Sequence, residues 1–266
     1  MPHAATSDLK FDEPESPAHV INGQGQSRVL LVCEHASNHI PARYAGLGLT
    51  EAAKISHAAW DPGAQAISER LSALLDAPLL VSKVSRLVYD CNRPPTSAGA
   101  IRAVSEQVIV PGNEALTTAE QIERVETVYQ PFTQTVTETI RSFKIAPILV
   151  TIHSFTRIYN DHTRDVDVGI IHDADASLAK TMVELSGEAL GLRYALNEPY
   201  SKADEVAHTL ELHATNNGLI NAMIEVCNDL LETPEQQDAI AQMLADLLTA
   251  SLSAMDVDMS QKGSSC

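Results

Sequence analysis

A short apolar run that ends in a histidine constrains the fold of this chain more than any other stretch. Residues 148–156 read ILVTIHSFT, and Pro147 directly precedes them. Such a brief run of β-branched and large apolar side chains favours a buried strand of a parallel sheet over a helix. Ligands of open α/β sheets bind at the carboxyl ends of the strands, which is where His153 would lie. A core histidine that is hydrogen-bonded to the backbone is the alternative interpretation.

Other segments of the chain predict an α/β domain around this strand. Amphipathic or capped helices are expected between apolar runs, which indicates the α/β class. Pro131 predicts a kink or break in the longest of these helices, and the alternation of residues 208–213 is typical of a strand. The predicted strands cover residues 28–34, 79–84, 148–156, 166–173 and 223–229, and the predicted helices cover 50–57, 63–75, 118–144, 177–190 and the segment after the N-cap Thr233.

The length of the chain is compatible with a single large domain. We expect a single domain over residues 27–256, preceded by a flexible arm at 1–26 and followed by a polar tail at 257–266. No leader-like apolar segment follows a basic start, and no run of ~18 apolar residues is present, so neither a signal peptide nor a membrane span is expected.

The net charge of the chain limits which partners are expected, and its cysteines indicate the cellular compartment. The chain has 35 acidic and 18 basic residues, a formal net charge of −17. This balance argues against nucleic acid and anionic membranes as partners, whereas a small anionic substrate stays possible because an arginine or a metal can dominate locally. The four cysteines lack CxxC spacing, which favours reduced, buried thiols in a cytoplasmic protein. The oligomeric state is not predicted.

A second histidine and one carboxylate join His153 as candidate metal ligands. His35 follows the predicted strand at 28–34, and Asp61 precedes Pro62 at the start of a predicted helix. On spacing alone, Asp61 is better explained as an N-cap with proline in the first helical position. Two imidazoles and a carboxylate would instead leave a fourth position on Zn²⁺ for water, as in hydrolytic zinc sites.

Two further groups carry candidate chemistry. In the segment SRLVYDCNRPP, Arg86, Asn92 and Arg93 cluster before two prolines, and an arginine fork can hold a carboxylate through two hydrogen bonds. An internal pair with Asp90 is an equally good explanation of Arg86. Glu225 stands between two apolar residues in a predicted strand, where a carboxylate needs either a partner or a function. Near a metal, such a glutamate can transfer a proton to a leaving amine.

Six motifs together resemble the N-formylglutamate amidohydrolase family. In chain order they are CEHASNHIP, HAAWDPGA, SRLVYDCNRPP, PGN, IHSFT and IEVCNDLL, and they span about residues 28–231. The resemblance implies a three-layer α/β/α fold with a mixed, mostly parallel sheet, similar to that of the zinc carboxypeptidases. It also implies one zinc ion and hydrolysis of a small N-acyl amino acid, typically N-formyl-L-glutamate to formate and L-glutamate.

The resemblance also implies which residues hold the metal. Zinc carboxypeptidases use the His and Glu of an HxxE motif and a later His that is followed by Ser. His35 matches the first histidine, and His153 with Ser154 matches the later pair. Position 38 is Asn instead of Glu, so the third ligand must come from elsewhere. Asp61 is the preferred candidate, and Asn38 is the alternative.

The remaining roles follow in the same way. Glu225 matches the general base, which precedes the last helix in carboxypeptidase-like proteins, and Glu211 is its rival. Asn92 and Arg93 resemble the pair that grips the substrate carboxylate. Further pocket candidates are Arg86 and His213.

The sequence therefore predicts a cytoplasmic, zinc-dependent amidohydrolase. One alternative is a ligand-binding or regulatory protein that has lost catalysis, which the asparagine at position 38 keeps open. Another is a deacylase for a different acyl group, because specificity depends on the loops at residues 96–113 and 157–164.

Overall fold

The computed structural model describes residues 16–187, 189–201 and 204–261, which fold around a seven-stranded sheet. Two short hairpins, at residues 104–109 and 158–163, lie outside that sheet. The strands are β1 (Ala18–Ile21), β2 (Val29–Cys33), β3 (Leu79–Ser82), β4 (Val104–Ser105), β5 (Val108–Ile109), β6 (Ile148–Phe155), β7 (Ile158–Tyr159), β8 (His162–Thr163), β9 (Val168–Ile171), β10 (Tyr194–Leu196) and β11 (Asn221–Cys227).

The large sheet is mixed but mostly parallel, as predicted. Its spatial order is β1-β3-β2-β6-β11-β9-β10. The four central strands β3, β2, β6 and β11 run in the same direction. Strand β1 is antiparallel to β3, and the parallel pair β9–β10 is antiparallel to β11. The carboxyl ends of the four central strands therefore meet at one edge, where the predicted site residues follow them.

Helices cover both faces of the sheet. Helices α2 (Ala64–Leu75), α5 (Ser177–Ser186) and α6 (Pro234–Ala254) share one apolar cluster with the sheet, while α4 (Gln130–Ser142) and the turn before it pack into the cluster on the opposite face. This arrangement confirms the predicted three-layer α/β architecture. The helices are α1 (Glu51–Ile55), α2 (Ala64–Leu75), α3 (Thr118–Arg124), α4 (Gln130–Ser142), α5 (Ser177–Ser186) and α6 (Pro234–Ala254).

Side chains of the central strands alternate between these two layers. In β2, Leu31 belongs to one cluster and its neighbours Leu30 and Val32 to the other. Every residue of β6 and β11 is buried, so both faces need apolar side chains and the strands read as continuous apolar runs. Polar residues interrupt these runs near the carboxyl end, where His153 lies directly beside Glu225 in the parallel register.

Several local predictions are confirmed. The side chains of Thr50, Thr117 and Thr233 accept hydrogen bonds at the starts of α1, α3 and α6, and the last two form capping boxes. A π-helical turn, Val125–Tyr129, separates α3 from α4. It realises the predicted interruption near Pro131, which lies in the first turn of α4 where its missing N–H is not needed.

Three local predictions are wrong. Helix α5 ends at Ser186 instead of residue 190, because Gly187 takes a positive φ of 53° and stops it early. The segment predicted as an alternating strand at residues 208–213 enters a π-helical turn, Leu210–Ala214. The N-cap of α2 is Gly63, not Asp61. Short sequence patterns do not fix the ends of a helix or separate a short strand from a helical turn, because tertiary contacts determine both.

The predicted arm and tail are only partly within the described residues. Residues 1–15 and 262–266 lie outside them, as does Cys266. Ala18–Ile21 forms the edge strand β1, so this part of the predicted arm belongs to the sheet. Near the other terminus, the Arg28 amide donates to the Met259 carbonyl at 2.6 Å. Of the predicted free thiols, Cys33, Cys91 and Cys227 are buried and unpaired.

No helix in the described ranges is long and apolar enough to cross a bilayer.

Candidate metal centre

Three ligand atoms converge at the carboxyl edge of the sheet. The Nδ1 atoms of His35 and His153 are 3.2 Å apart. The Oδ2 atom of Asp61 lies 3.2 Å from the first nitrogen and 2.9 Å from the second. All three residues are buried, with 2–4% of their surface exposed. The structure therefore brings together the two histidines and the carboxylate that the sequence singled out.

Backbone contacts explain how residues distant in the chain meet here. His153 belongs to β6, and His35 follows β2, the neighbouring parallel strand. The Asp61 amide donates to the His35 carbonyl at 2.9 Å, which attaches the loop after α1 to the end of β2. The amide of Ser154 approaches Asp61 Oδ2 at 3.4 Å, while its hydroxyl donates to the Pro62 carbonyl at 2.7 Å. The aspartate is thus fixed from both strands.

The donor set and its spacing fit a zinc ion. Tetrahedral zinc binds nitrogen and carboxylate ligands at distances near 2.0–2.1 Å, which separates neighbouring ligand atoms by about 3.3 Å. The observed separations of 2.9–3.2 Å are close to that value. Two imidazole nitrogens that face each other can share at most one proton, so a cation between them satisfies lone pairs that they cannot satisfy mutually.

Each candidate ligand has a charged partner on its outer side. The Nε2 atom of His35 lies 2.7 Å from Asp90 Oδ1, and the Nε2 atom of His153 lies 3.2 Å from Glu34 Oε2. Carboxylates in this position fix the tautomer and orientation of metal-binding histidines. The second oxygen of Asp61 accepts from Arg86 Nη1 at 3.1 Å. The Nε2 atoms of both histidines therefore face carboxylates, and their Nδ1 atoms are turned inward.

The surroundings favour positive charge between the three ligands. Burial opposes the charged form of His153, but Glu34, Asp61 and Glu225 raise its pKa well above the ordinary value. Burial likewise opposes ionisation of Asp61, yet the two histidines and Arg86 hold its pKa below the usual range. A site whose carboxylates stabilise protonated histidines is electrostatically suited to a divalent cation.

Glu225 lies directly beside His153 on the neighbouring parallel strand. It is 4% exposed, and within the described part of the chain its Oε2 atom has no hydrogen-bond partner. Burial raises its pKa to about 7. The side chain lines a cavity of about 380 Å³ together with His35, Asp61 and His153. A carboxylate with a pKa near neutrality beside a metal site can accept and return a proton.

The alternatives to Asp61 and Glu225 lie elsewhere. The Asn38 side chain donates to the Lys54 carbonyl at 3.0 Å, and Glu211 is exposed on the π-helical turn. His213 is buried. Its burial lowers its pKa to about 4, and the nearby His208 contributes a smaller part of this effect. Asn38, Glu211 and His213 are absent from the described residues that line the cavity.

The three residues predicted to grip a carboxylate differ in their surroundings. Arg86 lies 3.1 Å from Asp61 and 3.3 Å from Asp90, so the internal pair extends to two carboxylates. The Asn92 amide donates to the Val206 carbonyl and accepts from the Thr209 amide at 2.9 Å, which fixes the start of the π-helical turn. Arg93 lines the cavity and donates to the Asp204 carbonyl at 2.7 Å.

Several residues of the site were not predicted from the sequence. Glu34 precedes His35 directly, and this Glu-His pair at the end of an apolar run is the signal that would have identified it. His57 Nε2 and Glu106 Oε2 lie 2.5 Å apart in the cavity wall. Arg102 and Arg164 also line the cavity. His57 opens the HAAWDPGA motif, but no local motif marks Arg102, Glu106 or Arg164, which two other loops bring to the cavity.

We expect Gly63→Ala to destabilise the protein and to weaken metal retention. Gly63 has a φ of +82°, and an added Cβ would lie 2.4 Å from Leu231 Cβ. The left-handed backbone costs an alanine roughly 1–2 kcal/mol, and relief of the overlap would move the turn that holds Asp61. Gly218 has a similar φ of +65° but open space around it, so Gly218→Ala is the matched control. Urea unfolding and zinc content check this prediction, and equal losses in both variants would contradict it.

Comparisons with known proteins agree with this picture. The model of a family described as N-formylglutamate amidohydrolase matches residues 27–232. A solved structure of a gene product from Agrobacterium tumefaciens is 44% identical, covers 91% of this chain and 96% of its own, and has a TM-score of 0.88. The N-formylglutamate amidohydrolase of Ralstonia eutropha is 18% identical over 91% of this chain and 99% of its own, with a TM-score of 0.69, and so shows the same fold. No curated protein matches.

Proposed function

The chain belongs to the N-formylglutamate amidohydrolase family, and from this membership we propose that it is a zinc-dependent enzyme that cleaves the amide bond of a small N-acyl amino acid. N-formyl-L-glutamate is the first candidate substrate, with formate and L-glutamate as products. One observation carries the proposal: three converging ligand atoms lie in a cavity beside Glu225, a buried carboxylate with an unpartnered oxygen.

Zinc would be held by His35, Asp61 and His153. When bound, the ion supplies Lewis acidity, which lowers the pKa of water toward neutrality and polarises a carbonyl. Glu225 accepts a proton from the attacking water and then delivers it to the nitrogen of the leaving amino acid. Its parallel register beside His153 keeps this carboxylate next to the reacting group. Glu34 and Asp90 orient the two histidines through their outer nitrogens.

Arg93 binds one carboxylate of the substrate. Its side chain is 5% exposed and lines the cavity. Its nearest carboxylate oxygens, from Asp90 and Glu205, are 3.9 and 3.8 Å away, which is longer than a close ion pair. Part of its hydrogen-bonding capacity is therefore available to a ligand. Arg86, which two aspartates engage at shorter distances, instead positions Asp61 and Asp90.

The geometry favours an active enzyme over a binding protein that has lost catalysis. The asparagine at position 38 raised that alternative, because a carboxylate ligand was expected there. Asp61 supplies the carboxylate from a different loop, so the site does not need one at position 38. Three buried free thiols and a net charge of −17 support a cytoplasmic location and a small-molecule substrate without nucleic-acid or membrane partners.

Formate release from N-formyl-L-glutamate tests this function. The purified protein is assayed with and without added Zn²⁺, after metal analysis of the same sample. We expect release that depends on the metal and stops with a chelator. Bound metal without formate release, but with hydrolysis of another N-acyl amino acid, would assign a different acyl group. The absence of both metal and hydrolysis would overturn the proposal and favour the binding protein.

A further inference from the structure

Arg164 lies in the cavity wall within a group of aromatic rings. It follows the β7–β8 hairpin, which extends from the end of β6. Its guanidinium carbon lies 4.5 Å from the ring centre of Tyr159, 4.6 Å from that of Tyr200 and 5.6 Å from that of Phe155. Rings at these distances attract the cation and restrict its orientation. The charge is therefore presented to the cavity by a preformed support.

Hydrogen bonds around the hairpin hold this arginine in place. The Arg164 amide donates to the Arg157 carbonyl at 2.8 Å, and its Nη1 donates to the Thr156 carbonyl at 3.2 Å. Arg157 in turn pairs with Asp167 at 2.6 Å and with Asp229 at 2.8 Å. The base of the hairpin is thus tied to the residue before β9 and to the turn after β11. Because Arg164 is already held in place, binding of a ligand to it costs less side-chain conformational entropy than binding to a mobile arginine.

The charge of Arg164 has no carboxylate partner in the ranges that the structure describes. Arg86 and Arg93 each lie within 4 Å of two carboxylates. Arg102, whose Nε donates to the Gly99 carbonyl at 3.3 Å, belongs to the loop that also carries Arg93. A partly buried guanidinium in a cavity, with free donors and no anionic neighbour, is suited to an anionic ligand.

The two arginines reach the cavity from different elements. Arg93 is 3.9 Å from Asp90, and that aspartate contacts His35 at 2.7 Å. Arg164 approaches the cavity from the hairpin beyond β6, and its described contacts are with the aromatic rings and loop carbonyls. A ligand with two carboxylates would therefore meet Arg93 with one and Arg164 with the other.

We propose that Arg164 determines specificity by binding the side-chain carboxylate of a dicarboxylic N-acyl amino acid, while Arg93 binds the α-carboxylate. The inference rests on the proposed function, because it assigns a second carboxylate of that substrate. Arg164 would thereby favour glutamate or aspartate derivatives over the neutral glutamine, alanine or leucine derivatives. The basis is charge complementarity: the cavity presents one cation supported by aromatic rings and a second cation beside Asp90, the aspartate that contacts His35.

Paired substrates that differ only in this charge test the assignment. The zinc-loaded wild-type enzyme and Arg164→Gln are compared on N-formyl-L-glutamate and N-formyl-L-glutamine. A hydrogen-bonded ion pair of this kind corresponds to a loss of roughly 10- to 100-fold in kcat/KM. We expect Arg164→Gln to lose this factor on the glutamate derivative, mainly through KM, and to change little on the glutamine derivative. Arg164→Lys should recover part of the preference, and the exposed Arg141→Gln should retain all of it.

A binding measurement separates this inference from the proposed reaction. Calorimetry compares L-glutamate with L-glutamine on the same zinc-loaded proteins. If hydrolysis occurs but the wild type and Arg164→Gln show the same preference, Arg164 is not the specificity residue and the reaction stands. If no hydrolysis occurs but Arg164 still controls the preference for L-glutamate, the reaction falls and the carboxylate site stands. Absence of both hydrolysis and discrimination overturns both.

Discussion

Replacement of Glu225 by glutamine is expected to lower kcat by roughly 10²- to 10⁴-fold, the contribution of a positioned general base. Glutamine has the same shape but cannot accept the proton of the attacking water. Zinc content should stay at the wild-type level, because the converging ligand atoms belong to His35, Asp61 and His153. Turnover of N-formyl-L-glutamate and metal analysis of the same preparations provide the measurement.

The melting temperature of Glu225→Gln tests whether a loss of turnover reflects a loss of fold. Glu225 is buried, and its Oε2 atom finds no hydrogen-bond partner in the described chain. Burial of a charged carboxylate costs free energy that a neutral amide does not incur to the same extent. We therefore expect Glu225→Gln to have an unchanged or higher melting temperature. A variant that loses turnover while it gains stability has lost a functional group, not its fold.

Glu211→Gln is the matched control for this experiment. Glu211 is exposed on the π-helical turn, so its conversion to an amide should leave both kcat and zinc content near the wild-type values. The opposite pattern, an inactive Glu211→Gln beside an active Glu225→Gln, would transfer the role of the base to Glu211.

The fold could be predicted largely from the sequence because its central strands are buried on both faces. The run that ends in His153 is apolar at successive positions, as a strand between two helical layers must be. The same logic applies to β2, which delivers His35 to the same edge. Parallel neighbours end together, so the two histidines were predicted to meet without knowledge of any tertiary contact.

The roles that depended on tertiary contacts were harder to predict. Asp61 resembles an N-cap in the sequence, but Gly63, which lies in close contact with Leu231, takes the N-cap position. The residues from 208 onward alternate like a strand, yet Asn92 binds the backbone at Val206 and Thr209 at the start of a helical segment. Neither contact lies within the sequence windows that a local pattern can report.

Arg164 illustrates the same limit within the cavity. Its supporting rings come from the end of β6, from the hairpin and from the loop after β10. The sequence shows Arg164 only as one arginine in a polar loop, whereas the Asn92-Arg93 pair in its rigid turn predicts a carboxylate site. In the structure, both the nitrogen and the oxygen of the Asn92 side-chain amide are instead hydrogen-bonded to the backbone.

Removal of the Asp61 carboxylate is expected to abolish zinc retention and turnover together. Loss of a partner outside the ligand set typically lowers metal affinity by about 10- to 100-fold, so loss of a ligand should exceed that range. Asp61→Ala also leaves Arg86 without its 3.1 Å partner. Asp61→Asn keeps the shape and removes only the charge. Zinc content, chelator competition and formate release measure the effect in both variants.

Thermal stability with added zinc makes the comparison quantitative. At a free zinc concentration one hundred times the wild-type Kd, binding stabilises the folded protein by about 2.7 kcal/mol. A variant whose affinity is a hundredfold weaker gains only about 0.4 kcal/mol at the same concentration. Asp61→Ala should therefore show almost no zinc-dependent rise in Tm, whereas the wild type shows a clear one.

Asn38→Ala decides between the two candidates for the third ligand. Its side chain donates to the Lys54 carbonyl at 3.0 Å, so its removal costs one loop hydrogen bond and leaves the three converging ligand atoms in place. We expect the full zinc-dependent rise in Tm and near wild-type turnover. If Asn38→Ala instead lost zinc while Asp61→Ala kept it, the carboxylate of Asp61 would serve only to position Arg86 and the histidines, and the metal would be held by the asparagine of the EHASN segment.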